Sequence, residues 1–63
     1  MEQHQQRVVD EKKDLDVKLE RLNIFFGTEL FSRLDEGEQD LLRRQANAMG
    51  EYSAILGERI AMF

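Results

Sequence analysis

Val8, Leu15, Leu19, Leu22 and Phe26 recur at spacings of seven, four, three and four, which sets them on one stripe of a helix. Charged and polar residues fill the positions between them, with Asp14 and Lys18 one turn apart on the solvated side. This pattern predicts a first helix over about residues 4–26, its apolar surface broadened at the end by Ile24, Phe25 and Phe26. Gly27 follows as the expected C-cap, because a residue without a Cβ enters the left-handed conformation freely. Thr28 is placed to cap a short second helix over about residues 29–34, where Leu30, Phe31 and Leu34 form an apolar cluster. Asp35 followed by Glu38 has capping-box spacing and opens a third helix over about residues 36–61. Gly37 falls in its first turn, where its cost to the helix is small.

Two long helices joined by so short an elbow must run antiparallel. The fold class is therefore all-α, a single helical hairpin domain spanning residues 1–63, with the second helix as its elbow. Two helices alone leave much of their apolar stripes wet. The expected remedy is self-association into a helical bundle, such as the four-helix bundle made by two hairpins.

The third helix carries the most informative pattern. Apolar pairs recur every seven residues, Leu41-Leu42, Ala48-Met49, Ile55-Leu56 and Met62-Phe63, and Gln45, Tyr52 and Arg59 sit between them at the same period. A helical wheel places this polar column along the middle of the apolar stripe. Gly50 and Gly57 form another seven-spaced pair, expected to let a neighbouring backbone approach closely. Burying an amide, a phenol and a guanidinium requires partners. One reading pairs them with one another or with Glu11, Asp14 or Glu20, fixing register and oligomer state. A second has Tyr52 stack on a ring while Arg59 and Gln45 grip an anionic ligand at an interface. A third makes the column part of an interface with a foreign protein. Leu41, Met49, Leu56, Ile60 and Phe63 are the expected oligomer-interface residues. Arg43, Lys12 and Lys13 read as solvated charges, and Phe25, Phe26 and Phe31 read as core.

Composition narrows the alternatives. At 63 residues the chain is short for a self-sufficient core, and with no Cys it cannot add a disulfide or a thiolate metal site. His4 is the single histidine and has no ligand partner, so no metal and no cofactor is expected. The net charge of −4, with Lys and Arg dispersed among acids, disfavours nonspecific nucleic-acid binding. No apolar run reaches the ~20 residues of a membrane span. The polar start MEQHQQRVVDEKKD lacks a signal-peptide core, which points to the cytoplasm. There is no nucleophile–base set, no phosphate loop and no catalytic motif, so a binding protein is expected and not an enzyme.

From Gln5 to Phe63, three segments carry a resemblance: QQRVVDEKKDLDVKLERL, then F-x-x-L-D-x-x-E-Q-D-L-L, then RQANAMGEYSAILGERI. Together they resemble a family of short proteins of tailed phages and prophages related to a small crAss-phage protein. Gln45, Met49, Tyr52, Leu56, Arg59 and Ile60 form its most specific part and include the polar column. The resemblance implies a host-cell cytoplasmic setting and a role against host anti-phage defence. By analogy with small helical inhibitors of that origin, it implies a homo-oligomer that sequesters a cyclic-nucleotide or ADP-ribose-type signal. In that reading Tyr52 stacks on the base, Arg59 meets phosphate, and Gln45 and Arg44 add polar contacts. The alternatives are a module that binds and blocks a host defence protein, and a structural phage component.

Overall fold

The computed structural model describes all 63 residues as three helices: α1 (Gln3–Phe25), α2 (Glu29–Arg33) and α3 (Glu36–Ala61). α1 and α3 pack side by side as an antiparallel hairpin about 45 Å long and 15 Å across. Each helix begins where a side chain can take up a free backbone N–H. Gln5 Oε1 accepts from the Glu2 N–H at 2.9 Å, Thr28 Oγ1 from the Phe31 N–H at 3.2 Å, and Asp35 Oδ1 from the Glu38 N–H at 2.8 Å. The two caps expected at Thr28 and Asp35 are thus in place.

The end of α1 differs from the expectation. Gly27 does not enter the left-handed region: no residue of the chain has a positive φ of that kind, and Phe26 is the C-cap in right-handed helical geometry. The last turn instead tightens, with Gly27 N–H donating to Ile24 O at 3.1 Å and Thr28 N–H to Phe25 O at 3.0 Å. Thr28 Oγ1 donates to the same Phe25 carbonyl at 2.7 Å, so the threonine closes one helix while it opens the next.

The elbow is built around Phe31, which is buried. Its ring meets Phe26 edge-on at 5.0 Å between centroids and Phe25 at 5.9 Å. Such T-shaped pairs add roughly 0.5–1.5 kcal/mol beyond the area they bury. Arg43, read from the sequence as a solvated charge, lies over the Phe31 ring at 5.2 Å, because the face of the ring is electron-rich. Leu30 does not join the expected cluster and stays 63% exposed, since one short turn cannot aim both Leu30 and Phe31 at the hairpin. Gln39 Nε2 donates to both Phe31 O and Leu34 O at 3.0 Å, which ties the elbow to the first turns of α3.

Between the long helices the seam holds Val8, Leu15, Leu19 and Leu22 of α1 against Leu42, Ala46, Met49, Ser53, Leu56 and Ile60 of α3, all buried or half-buried. Leu56 is fully enclosed. Gly50 and Gly57 sit beside the seam under Leu19 and the Lys12 stem. A Cβ built at either would meet those side chains at 4.0 and 3.5 Å, ordinary contact distances, so the helices do not approach closely enough to require glycine.

Candidate functional site

One polar cluster interrupts the apolar seam. Ser53, on the α1-facing side of α3, is buried in the seam, and a lone hydroxyl there needs partners. Lys12 Nζ donates to Ser53 Oγ at 2.7 Å, Ser53 Oγ donates to Asp16 Oδ1, and Lys12 Nζ also pairs with Asp16 Oδ2 at 3.2 Å. Lys12, read from the sequence as a solvated charge, is thus drawn into the helix contact. The stem covers Gly57, and the ammonium reaches the only buried hydroxyl in the seam. The hydrogen bond from Ser53, and then that from Lys12, hold the Asp16 carboxyl below its ordinary pKa of 3.8, against the opposing effect of desolvation. The cluster closes on itself: Lys12 donates to Ser53 and Asp16, and Ser53 donates to Asp16. It pins the register of α1 on α3.

Beside this pin lies a shallow groove of about 470 Å³. Tyr52 forms its α3 wall. Arg7, Asp10, Glu11, Asp14, Leu15 and Lys18 form the α1 wall. Arg7, Glu11, Asp14 and Lys18 repeat at spacings of four, three and four, which lines them up along one flank of α1. The groove therefore carries two cations, three carboxylates and one exposed aromatic ring, 44% accessible. Its volume falls within the ~300–1,000 Å³ typical of small-molecule sites, although it is open on one side. Asp14 and Lys18 both line it without forming an ion pair; the pairs present are Lys12–Asp16, Glu29–Arg33 and Asp40–Arg44.

Of the residues singled out from the sequence as ligand contacts, only Tyr52 lines the groove. Gln45 and Arg59 lie one heptad to either side of it, each ~10 Å along the axis, and both are exposed. The column does not run in the middle of the buried stripe, as the helical wheel suggested, but along its solvent side. No hydrogen bond links it to Glu11, Asp14 or Glu20; Gln45 Nε2 makes only a long 3.9 Å contact with Met49 Sδ. Arg44 is exposed beyond the column, with Asp40 at 3.8 Å as its only ionic neighbour. Among the expected interface residues, Leu56 is enclosed within the single hairpin, Met49 and Ile60 are half-buried there, and Leu41 and Phe63 remain exposed. Sequence reasoning misses Arg7 and Lys18 as groove residues. Their four-three-four spacing with Glu11 and Asp14 is the available signal, and it reads as an ordinary solvated flank until Tyr52 is placed beside it.

No helix of the protein is long and apolar enough to cross a membrane. A family model described as Sequestin matches residues 2–62, nearly the whole chain. No curated protein and no solved structure matches it.

Proposed function

The chain belongs to the Sequestin family, and on that premise we propose that it is a phage-encoded homo-oligomer that antagonises host anti-phage defence by holding a nucleotide-type signal without turning it over. The family name is consistent with sequestration. The observation that carries the finer reading is the exposed Tyr52 ring forming one wall of a groove that also presents Arg7 and Lys18. An aromatic face left open beside cations suits a base joined to phosphate: the ring stacks, and a guanidinium binds phosphate oxygens in pairs. Arg59 and Gln45, one heptad to either side, extend the polar contacts along a ligand larger than the groove. The carboxylates Asp10, Glu11 and Asp14 suit the donors of a base or the hydroxyls of a sugar. Binding alone is sufficient for this role.

The test is equilibrium binding of a panel of cyclic nucleotides and ADP-ribose-type compounds to the purified protein and to Tyr52→Ala and Arg59→Ala, with far-UV circular dichroism confirming that both variants keep their helices. Loss of one stacked base costs ~1–3 kcal/mol, so Tyr52→Ala is expected to weaken binding about five- to 150-fold. Unchanged affinity in both variants would refute the assignment. A second reading, a module that docks on a host protein, draws on the exposed apolar residues Leu41, Ile55 and Met62. Recovery of one host protein in stoichiometric amount, with no nucleotide bound by the purified chain, would favour it.

A further inference from the structure

Only five of the 63 residues are buried, and a chain this short seldom reaches stability on so small a core. The apolar surface left over is ordered along one line. Leu41, Ala48 and Ile55 stand seven apart on α3, Met62 at its C-cap continues the line, and Gln45, Tyr52 and Arg59 follow the first three at four residues each. Alternating spacings of four and three make a coiled-coil seam. Its members face solvent: Leu41 is 59% exposed, Ile55 47%, and Met62 87%. The adjacent set Leu42, Met49 and Leu56 turns toward α1, so this seam lies on the part of α3 that α1 does not cover.

We infer that the outer seam of α3 is the docking surface for a second copy of this chain, with the two α3 helices antiparallel about a two-fold axis. Size and charge select this direction. In a parallel pair the column would meet itself, setting Arg59 against Arg59 and Tyr52 against Tyr52, and like charges would be buried together. In the antiparallel pair the column meets the other line. One edge of the Tyr52 ring then lies on Ala48 of the second copy, a side chain small enough to leave the ring face that lines the groove open. Gln45 lies on Ile55, and the Arg59 stem on Leu41. Along the outer edge of the seam run Arg44, Glu51 and Glu58. The same register sets Arg44 of each copy beside Glu58 of the other, two opposite-charge pairs set against one exposed, solvent-screened repulsion where the two Glu51 residues meet near the axis. Within the chain Arg44 has a long, exposed ion pair with Asp40 at 3.8 Å, so pairing with Glu58 of the second copy extends or replaces that weak contact.

The arrangement also bears on the groove. A two-fold axis of this kind keeps the inner edges of both α3 helices on one side, so both α1 helices lie on that side too. The two Tyr52 grooves then open into one trough between the subunits, and each is completed by the other copy. This deepens the oligomeric part of the function proposed above and rests on that reading. The test uses no ligand, so it fails separately from sequestration.

The chain has no cysteine, so a single introduced thiol carries a single spin label. In Glu51→Cys the two labels of a dimer are expected close together near the axis. In Arg44→Cys they are expected to be offset by ~21 Å along the helices, the rise of fourteen residues. Arg44→Glu is expected to weaken dimerisation roughly tenfold, and Arg44→Glu with Glu58→Arg to restore it. A wild-type chain that stays monomeric in native mass spectrometry at every concentration would overturn the inference. So would equal label separations at positions 44 and 51, the signature of a parallel pair.

Discussion

Ile55 and Leu56 are adjacent on α3, similar in size and hydrophobicity, and opposite in surroundings. Leu56 is completely enclosed between α1 and α3, whereas Ile55 is 47% exposed. Truncating a fully buried leucine to alanine removes its transfer free energy and leaves a cavity, together ~2–5 kcal/mol. At ~0.05–0.15 kcal/mol per residue, the whole 63-residue fold is stabilised by roughly 3–9 kcal/mol. Leu56→Ala is therefore expected to remove a large share of the stability and to lower the melting temperature by ~10 °C or more. Ile55→Ala makes no cavity within the hairpin, and its direct effect on one chain is expected to stay within about 1 kcal/mol. The assay is urea unfolding followed by circular dichroism at several protein concentrations, because association would add a concentration-dependent contribution. At the lowest concentration Leu56→Ala should be the far more damaging change. Equal losses from the two substitutions, or a larger loss from Ile55→Ala, would refute the assignment of the inner face of α3.

Asp16 gives a pH prediction. Its carboxyl has a lower pKa in the folded chain than its ordinary value of 3.8, through the hydrogen bonds from Ser53 and Lys12. The unfolded chain thus binds the proton more readily, so this stabilisation is present above 3.8 and is lost as pH falls through the folded value. Wild type should lose more urea resistance than Asp16→Asn between neutral pH and pH ~3, and an identical loss in both would count against the pin. Gly50 and Gly57 lie inside α3 with room for a methyl group. Replacing either with alanine is expected to raise stability by ~0.5–1 kcal/mol, and a clear loss in thermal melts would show that the helices pack closer than described.

Much of the fold was legible because it is local. The seven-four-three-four repeat of α1, the Thr28 and Asp35 caps and the shortness of the elbow each depend on residues close in sequence. The position of the polar column was not legible, for a geometric reason. Each apolar pair on α3, such as Leu41-Leu42 or Ile55-Leu56, spans ~100° of the helix, so the sequence shows one broad stripe with Gln45, Tyr52 and Arg59 within it. A single partner helix covers only part of that breadth. α1 takes the side carrying Leu42, Met49 and Leu56 together with Ala46 and Ser53, and the column is left at the solvent edge. Lys12 and Ser53 were illegible for another reason: each is a polar residue at a position of the four-three repeat, Lys12 between Val8 and Leu15 and Ser53 between Met49 and Leu56, and nothing local shows that they meet, because their hydrogen bond joins residues 41 apart in the chain. The groove likewise exists only because Tyr52 is brought against a flank of α1 that, on its own, resembles any solvated helix surface.

Whether this small hairpin holds a nucleotide-type ligand and releases it unaltered is decided by native mass spectrometry. The protein is incubated with such compounds, weighed intact, then denatured so that whatever it held can be weighed in turn. The expected result is an even-numbered oligomer carrying added mass of nucleotide size, lost in Tyr52→Ala, with the released compound identical to the one supplied. An oligomer that retains none of the compounds, or one that returns them cleaved, would contradict sequestration.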